Sequence, residues 1–347
     1  MTGLIDCDVH HAVPEISALF PYLPSRWSDY CVEHGVQSLA PDFYPPNMAL
    51  SARPESRTGT TPPGSDPAVL RTQVLDDAPA ELAIVNCLYA VQPIHNEDWA
   101  VAMAAGLNDW QADQWLDADP RLRASIVVPP QNPARAAAEI RRMADQPGFV
   151  QVLLLAFSEM PLGRRHYWPI YEAAAEAGLP VGVHPGVAGA NPLSPVGWPS
   201  YCIEDYAGVS NVMQSQLISL VCEGVFQQYP NLRVVLLESG VSWLPSLLWR
   251  LDKNWKGTRR EVPWVTVPPS EVIREHVRFT VAPFDGPPET ADVLRLVEQL
   301  GSADVLLYAS DYPHWHHRDA ATSLLRHLSA DDRAKVERGN AEALYGL

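Results

Sequence analysis

Leu232-Arg-Val-Val-Leu-Leu-Glu238-Ser-Gly240 is an apolar run, broken only by Arg233, that stops at an acid and a turn. Pro180-Val-Gly-Val-His184-Pro-Gly186 follows the same plan with an imidazole in place of the carboxylate. Runs that are continuously apolar, rather than alternating, suit strands buried on both faces, as in a parallel sheet covered by helices. Working outward, the same signature predicts strands at Gly3–Asp8, Glu81–Leu88, Leu122–Val128, Phe149–Leu155, His276–Val281 and Val305–Asp311. Eight strands result.

Helical periodicity fills the intervals, at Glu97–Ala118, Ala134–Asp145, Tyr167–Ala177, Asn211–Gln228, Trp243–Asn254 and Thr290–Leu300. In Ala134–Asp145, Ala138, Ile140 and Met143 are expected to face the core, with Glu139, Arg141 and Arg142 towards water. Leu217, Ile218, Val221 and Val225 mark the buried face of another helix. Repeated β-then-α units with eight strands predict an α/β fold, a (β/α)8 TIM barrel, over an open doubly wound sheet. Two Pro-, Gly- and Ser-rich stretches, Gln37–Asp66 and Pro185–Tyr206, read as long βα-loop insertions. The end, from Ser329, reads as a capped helix and a second one opening at Asn340. We expect a single domain over residues 1–347.

Composition narrows the function. The chain of 347 residues is 47% hydrophobic and 19% charged, and most of its 33 prolines fall at element boundaries rather than in one tract. A net charge of −16 argues against nucleic acid and against an anionic membrane surface. No run approaches the roughly 18 apolar residues that a membrane helix needs, and no signal peptide is legible. Five cysteines without CxxC spacing suggest reduced thiols, so a soluble, cytoplasmic chain is expected.

Chemistry gathers where the strands stop. The first ends in Asp6-Cys-Asp8-Val-His10-His11, and alternation predicts that Asp6, Asp8 and His10 share a face while His11 points away. The fifth ends at His184, the sixth at Glu238, and the eighth at Ser310-Asp311-Tyr-Pro-His314. Singly, Asp311 reads equally as a helix N-cap and Glu238 as a satisfied loop acid. In a barrel, however, these ends converge on one ring. Clustered carboxylates repel and resist ionisation in a poorly solvated mouth, and one divalent cation resolves that conflict. The mixed N and O donors suit zinc or manganese.

These residues, with Arg121-Leu-Arg-Ala-Ser-Ile-Val-Val-Pro129, Leu237-Glu-Ser-Gly-Val-Ser-Trp-Leu-Pro245 and Gly339-Asn-Ala-Glu-Ala-Leu-Tyr-Gly346, resemble the amidohydrolase-related family. The branch is the one that includes aminocarboxymuconate-semialdehyde decarboxylase. The resemblance implies metal ligands Asp8, His10, His184 and Asp311. Asp8 stands where relatives commonly have His, and Glu238 where many have a catalytic His. No lysine ends the fourth strand, which disfavours a binuclear site. The implied reaction is non-oxidative decarboxylation of a small aromatic or unsaturated carboxylate, with Asp311, Glu238 and His184 as its catalytic residues. The alternatives are metal-dependent hydrolysis of an ester, lactone or amide, in which Asp311 takes the proton of water, and a metal- or ligand-binding paralogue without turnover. Arg53, Arg57, His314 and Trp315 are the candidate contacts to a small anionic substrate, and relatives suggest a homodimer.

Overall fold

The computed structural model describes residues 3–39, 52–78, 80–186, 191–192, 194–314 and 324–347. Eight strands form one parallel sheet in sequence order: β1 Leu4–His11, β2 Ala80–Cys87, β3 Leu122–Val127, β4 Phe149–Leu155, β5 Val181–His184, β6 Val234–Leu236, β7 Val277–Thr280 and β8 Leu306–Leu307. Beyond β8 the chain runs on beside β1: the Cys7 N–H donates to the Tyr308 carbonyl (3.0 Å) and the His10 N–H to the Tyr312 carbonyl (2.7 Å). These bonds draw the last strand towards the first, and the fold is the expected (β/α)8 barrel.

Local chemistry explains the elements. Asn132 caps the helix Pro133–Met143, its side chain accepting from the Arg135 N–H, with Pro133 in the first turn. Ile140 and Met143 are buried as expected, but Glu139 is buried and Ala138 exposed. The inversion has a reason: Glu139 accepts from the Asn108 amide (2.7 Å) and from Arg142 (2.7 Å), so its charge is paired where it is covered. The helix Cys202–Cys222 starts well before the expected Asn211, because Glu204 reaches back to the Tyr201 N–H (2.7 Å) and caps a polar first turn. Leu217, Val221 and Val225 lie in the core, with Ile218 half-buried. Helices Ser25–His34 and Pro269–His276 were not expected from the periodicity.

One strand departs from simple alternation. The register of β1 on β2 slips between Asp6 and Val9, a bulge that puts an extra residue in β1. Asp6 therefore does not share a face with Asp8 and His10. It lines a separate cavity with Leu4, Arg53, Tyr308 and Tyr312, and accepts from the Ser310 N–H (2.9 Å). Burial pushes the Asp6 carboxyl up to about 7, against those hydrogen bonds. Within the barrel, Ile5, Cys7, Ile84, Leu153, Val235 and Leu307 pack together, closed at one end by Ala341, Leu344, Tyr345 and Leu347. No helix among the described residues is long and apolar enough to cross a membrane.

Candidate metal centre

Four strands deliver the site. Asp8 and His10 come from the end of β1, His184 is the last residue of β5, Glu238 follows β6, and Asp311 and His314 follow β8. Ligand-competent atoms of Asp8, His10 and His184 lie within 4.8 Å of one another, and so do those of His10, Glu238, Asp311 and His314. His10 links the two groups. Its Nε2 lies 2.9 Å from Asp311 Oδ1 and 3.7 Å from Asp8 Oδ1. His184 Nε2 lies 3.0 Å from Glu238 Oε2 and 3.8 Å from Asp8 Oδ2. His314 Nδ1 lies 2.7 Å from Asp311 Oδ1.

The site is buried and electrostatically tight. Asp8 and Asp311 are fully buried, His184 almost so. Burial raises the Asp8 carboxyl above its ordinary range, against His10 and His184. Burial would lower His10, but the Asp8 and Asp311 carboxylates push it up to about 10. Burial would also raise Asp311, yet His314 and His10 hold it well below the usual carboxylate range. Burial thus resists the charge on Asp8, while Asp311 keeps its charge only beside the neighbouring imidazoles. A divalent ion would supply positive charge to both carboxylates directly.

Two buried atoms test whether such an ion fits. Asp8 Oδ2 has no hydrogen-bond partner, although nearly every buried polar atom in a folded protein has one, and His184 Nε2 makes no hydrogen bond beyond its close approach to Glu238 Oε2 (3.0 Å). Both face the same space, and a carboxylate oxygen with an imidazole nitrogen is a donor pair suited to zinc or manganese. The donors fit.

Backbone geometry points to the same place. Glu238 (φ 49°) and Asp311 (φ 54°) are the non-glycine residues with positive φ among the described residues. Each conformation costs about 1–3 kcal/mol, which surrounding structure must impose. Here the Glu238 N–H donates to Thr280 Oγ1 on β7 (2.9 Å), and the Asp311 N–H to the Asp8 carbonyl (3.1 Å). Gly240 follows Glu238 with its own positive φ (66°), and a Cβ there would meet the Asp285 carboxylate at 2.6 Å.

The other expected residues divide. His314 joins the ring, its imidazole 5.0 Å from that of His10. His11 points away, stacked on Trp110 (5.6 Å), and burial with neighbouring His10 lowers it to about 3. Arg53 lies over the Tyr312 ring (5.4 Å) and lines the Asp6 cavity, which the ligand candidates do not line. Arg57 reaches the Ala52 carbonyl (3.5 Å). Trp315 lies outside the described residues. A cavity of about 320 Å³ opens beside His10 and His314, walled by Val13, Pro62, Pro63, Leu88, Tyr89 and Pro313. Asn86 was missed by the sequence reading, yet its amide donates to Asp8 Oδ1 (2.8 Å). The available signal was one polar residue at the end of an apolar run.

A parallel eight-stranded barrel with carboxylates and imidazoles converging at the C-terminal strand ends defines the class of metal-centred barrel enzymes. A family model described as amidohydrolase matches residues 5–347, and the chain belongs to that family. It is 28% identical over 300 residues to gamma-resorcylate decarboxylase of Rhodococcus jostii (strain RHA1), covering 80% of this chain and 87% of that protein. It shares its fold with dihydroxybenzoic acid decarboxylase from Polaromonas sp. JS666, a structure with bound manganese and the inhibitor 2-nitroresorcinol (TM-score 0.70, 23% identity, covering 100% of this chain and 98% of the other). An amidohydrolase from Mycobacterium avium subsp. paratuberculosis K-10 is also similar in fold (TM-score 0.75, 23% identity, 99% and 98% covered).

Proposed function

We propose that the chain is a divalent-metal-dependent carboxy-lyase that removes the carboxyl group of a small aromatic carboxylate. The observation that carries this reading is the partnerless buried oxygen Asp8 Oδ2 facing His184 Nε2 at 3.8 Å, beside His10 and Asp311. The relatives named above, a gamma-resorcylate decarboxylase among them, support the choice of reaction. These four residues would hold one manganese or zinc ion. When bound, that ion would anchor the oxygens of the substrate and stabilise the negative charge that stays on it as carbon dioxide leaves.

The chain's own groups do the rest. Cleavage of the C–C bond leaves an electron pair on the ring carbon, and a proton must fill it. Glu238 stands at the ring, with Oε2 3.0 Å from His184, and is the group placed to deliver that proton. His314, held by Asp311, edges the largely apolar cavity of about 320 Å³, a volume suited to one substituted ring. Of the candidate substrate contacts, His314 edges this cavity and Arg57 bonds the carbonyl of Ala52, which also lines it, whereas Arg53 lines the Asp6 cavity. The reading includes a cytoplasmic homodimer: none of the five cysteines forms a disulfide among the described residues, and sedimentation tests the assembly.

The deciding experiment follows a panel of hydroxylated benzoates, with an ester, a lactone and an amide beside them, in water labelled with oxygen-18. Carbon dioxide release with a protonated ring product, and no label in that product, is expected. Label entering the product on cleavage of an ester, lactone or amide would replace this reading with hydrolysis.

A further inference from the structure

Asn86, Ser125 and Gln151 sit on three successive strands, β2, β3 and β4, and each is fully buried. Asn86 and Gln151 lie two residues from Ile84 and Leu153, so by the period of a strand they share the barrel interior with those side chains. Barrel interiors are ordinarily filled by branched apolar residues. Here the polar groups join end to end. The Tyr345 hydroxyl donates to Gln151 Oε1 (3.0 Å), and the Gln151 amide donates to Ser125 Oγ (2.9 Å). Ser125 in turn donates to Asn86 Oδ1 (2.6 Å), and the Asn86 amide to Asp8 Oδ1 (2.8 Å).

Every bond in this ladder donates in the direction of Asp8, so the dipoles align and reinforce one another. Room for it has been left on the neighbouring strand: a Cβ on Gly182 of β5 would lie 2.5 Å from Gln151 Nε2. Buried polar groups contribute little net stability over well-packed apolar ones, and each is costly if it loses its partner. A ladder that spans the core from the closing helix Asn340–Tyr345 to one carboxylate therefore needs a role beyond cohesion.

We propose that the ladder is a positioning device for the metal centre, with Tyr345 and Asn86 at its two ends. It engages Asp8 Oδ1 and so turns Oδ2, which has no hydrogen-bond partner, into the ring 3.8 Å from His184 Nε2. An aspartate has two oxygens free to rotate, and an ion needs one of them fixed. The C-terminal helix thereby acts on the site from the opposite end of the barrel. This inference rests on the metal reading above.

The test measures manganese affinity by chelator competition, and the side-chain amide resonances of Asn86 and Gln151 in metal-free protein. Tyr345→Phe keeps the packed ring and removes one hydroxyl. It should shift both amides and weaken manganese binding by about 2–10-fold, the range for one neutral hydrogen bond. Asn86→Ala should weaken it by about 10–100-fold. A merely cohesive ladder would lower thermal stability and leave affinity unchanged, and that result overturns the proposal. Amides that do not move in Tyr345→Phe overturn it too, and this variant folds even where Asn86→Ala fails to. No manganese uptake by the wild type overturns the metal reading itself, and the metal-free amide shifts then still decide whether the ladder reaches Asn86.

Discussion

Glu238 is held in a left-handed backbone conformation (φ 49°) at the tip of an apolar strand, beside the buried His184. A residue kept there against its own preference, with Thr280 tying down its N–H, is positioned for its side chain. Glu238→Gln preserves the shape and removes the titrating group. Turnover should fall by roughly 10²–10⁴-fold, the range for lost general acid–base catalysis, while manganese content by elemental analysis stays near wild type. Loss of the metal together with activity would make Glu238 a ligand, and unchanged turnover would return it to a structural role. The residue was legible because it ends an otherwise apolar run. Asp6 looked equally eligible and is not at the ring, because the bulge in β1 turns it towards Ser310.

Elements meet at junctions that carry their own titration. His276 ends the helix Pro269–His276 and abuts β7, stacked on Phe226 (4.8 Å), with Nδ1 3.0 Å from the Leu232 carbonyl at the entry to β6. Burial lowers its pKa below the ordinary 6.5, and the adjacent Arg233 guanidinium adds to the effect against the hydrogen bond to Leu232. The folded chain therefore keeps the ring neutral where the unfolded chain takes up a proton. Stability from this group is complete above pH 6.5 and declines as pH falls below that value towards the lowered folded pKa. His276→Asn keeps a donor to the Leu232 carbonyl and removes the titration. Denaturant melts from about pH 7 to about pH 5 should show a shallower acid loss in the variant than in wild type. Equal slopes would remove His276 from the acid sensitivity of this junction. The junction was not legible in sequence, since helical periodicity did not mark Pro269–His276 and His276 was assigned to the strand.

Across the whole molecule, metal and fold should be thermodynamically linked. Asp8, His10, His184 and Asp311 come from both ends of the chain and its middle, and only closure of the barrel assembles them. An ion that binds the folded chain alone stabilises it by about 2.7 kcal/mol at a free concentration 100 times its dissociation constant. Chelator-treated protein should therefore unfold at lower denaturant than manganese-loaded protein. His184→Ala should shrink that difference, and an unchanged difference would remove His184 from the ligand set.

By itself the sequence determined the architecture and the four strand ends that carry chemistry. Uninterrupted apolar runs can only be buried on both faces, and a titratable group at the end of such a run must lie at a rim. Only the tertiary structure decided which side each group faces: His314 joins the ring, Asp6 leaves it, and Arg53 lines another cavity. In a strand covered on both sides, the apolar pattern does not distinguish the inside of the barrel from the outside. For the same reason Asn86, Ser125 and Gln151 passed as isolated polar residues in separate strands. Their connection to Asp8 exists only across β2, β3 and β4, where the pairing register brings side chains from distant parts of the chain within hydrogen-bonding reach.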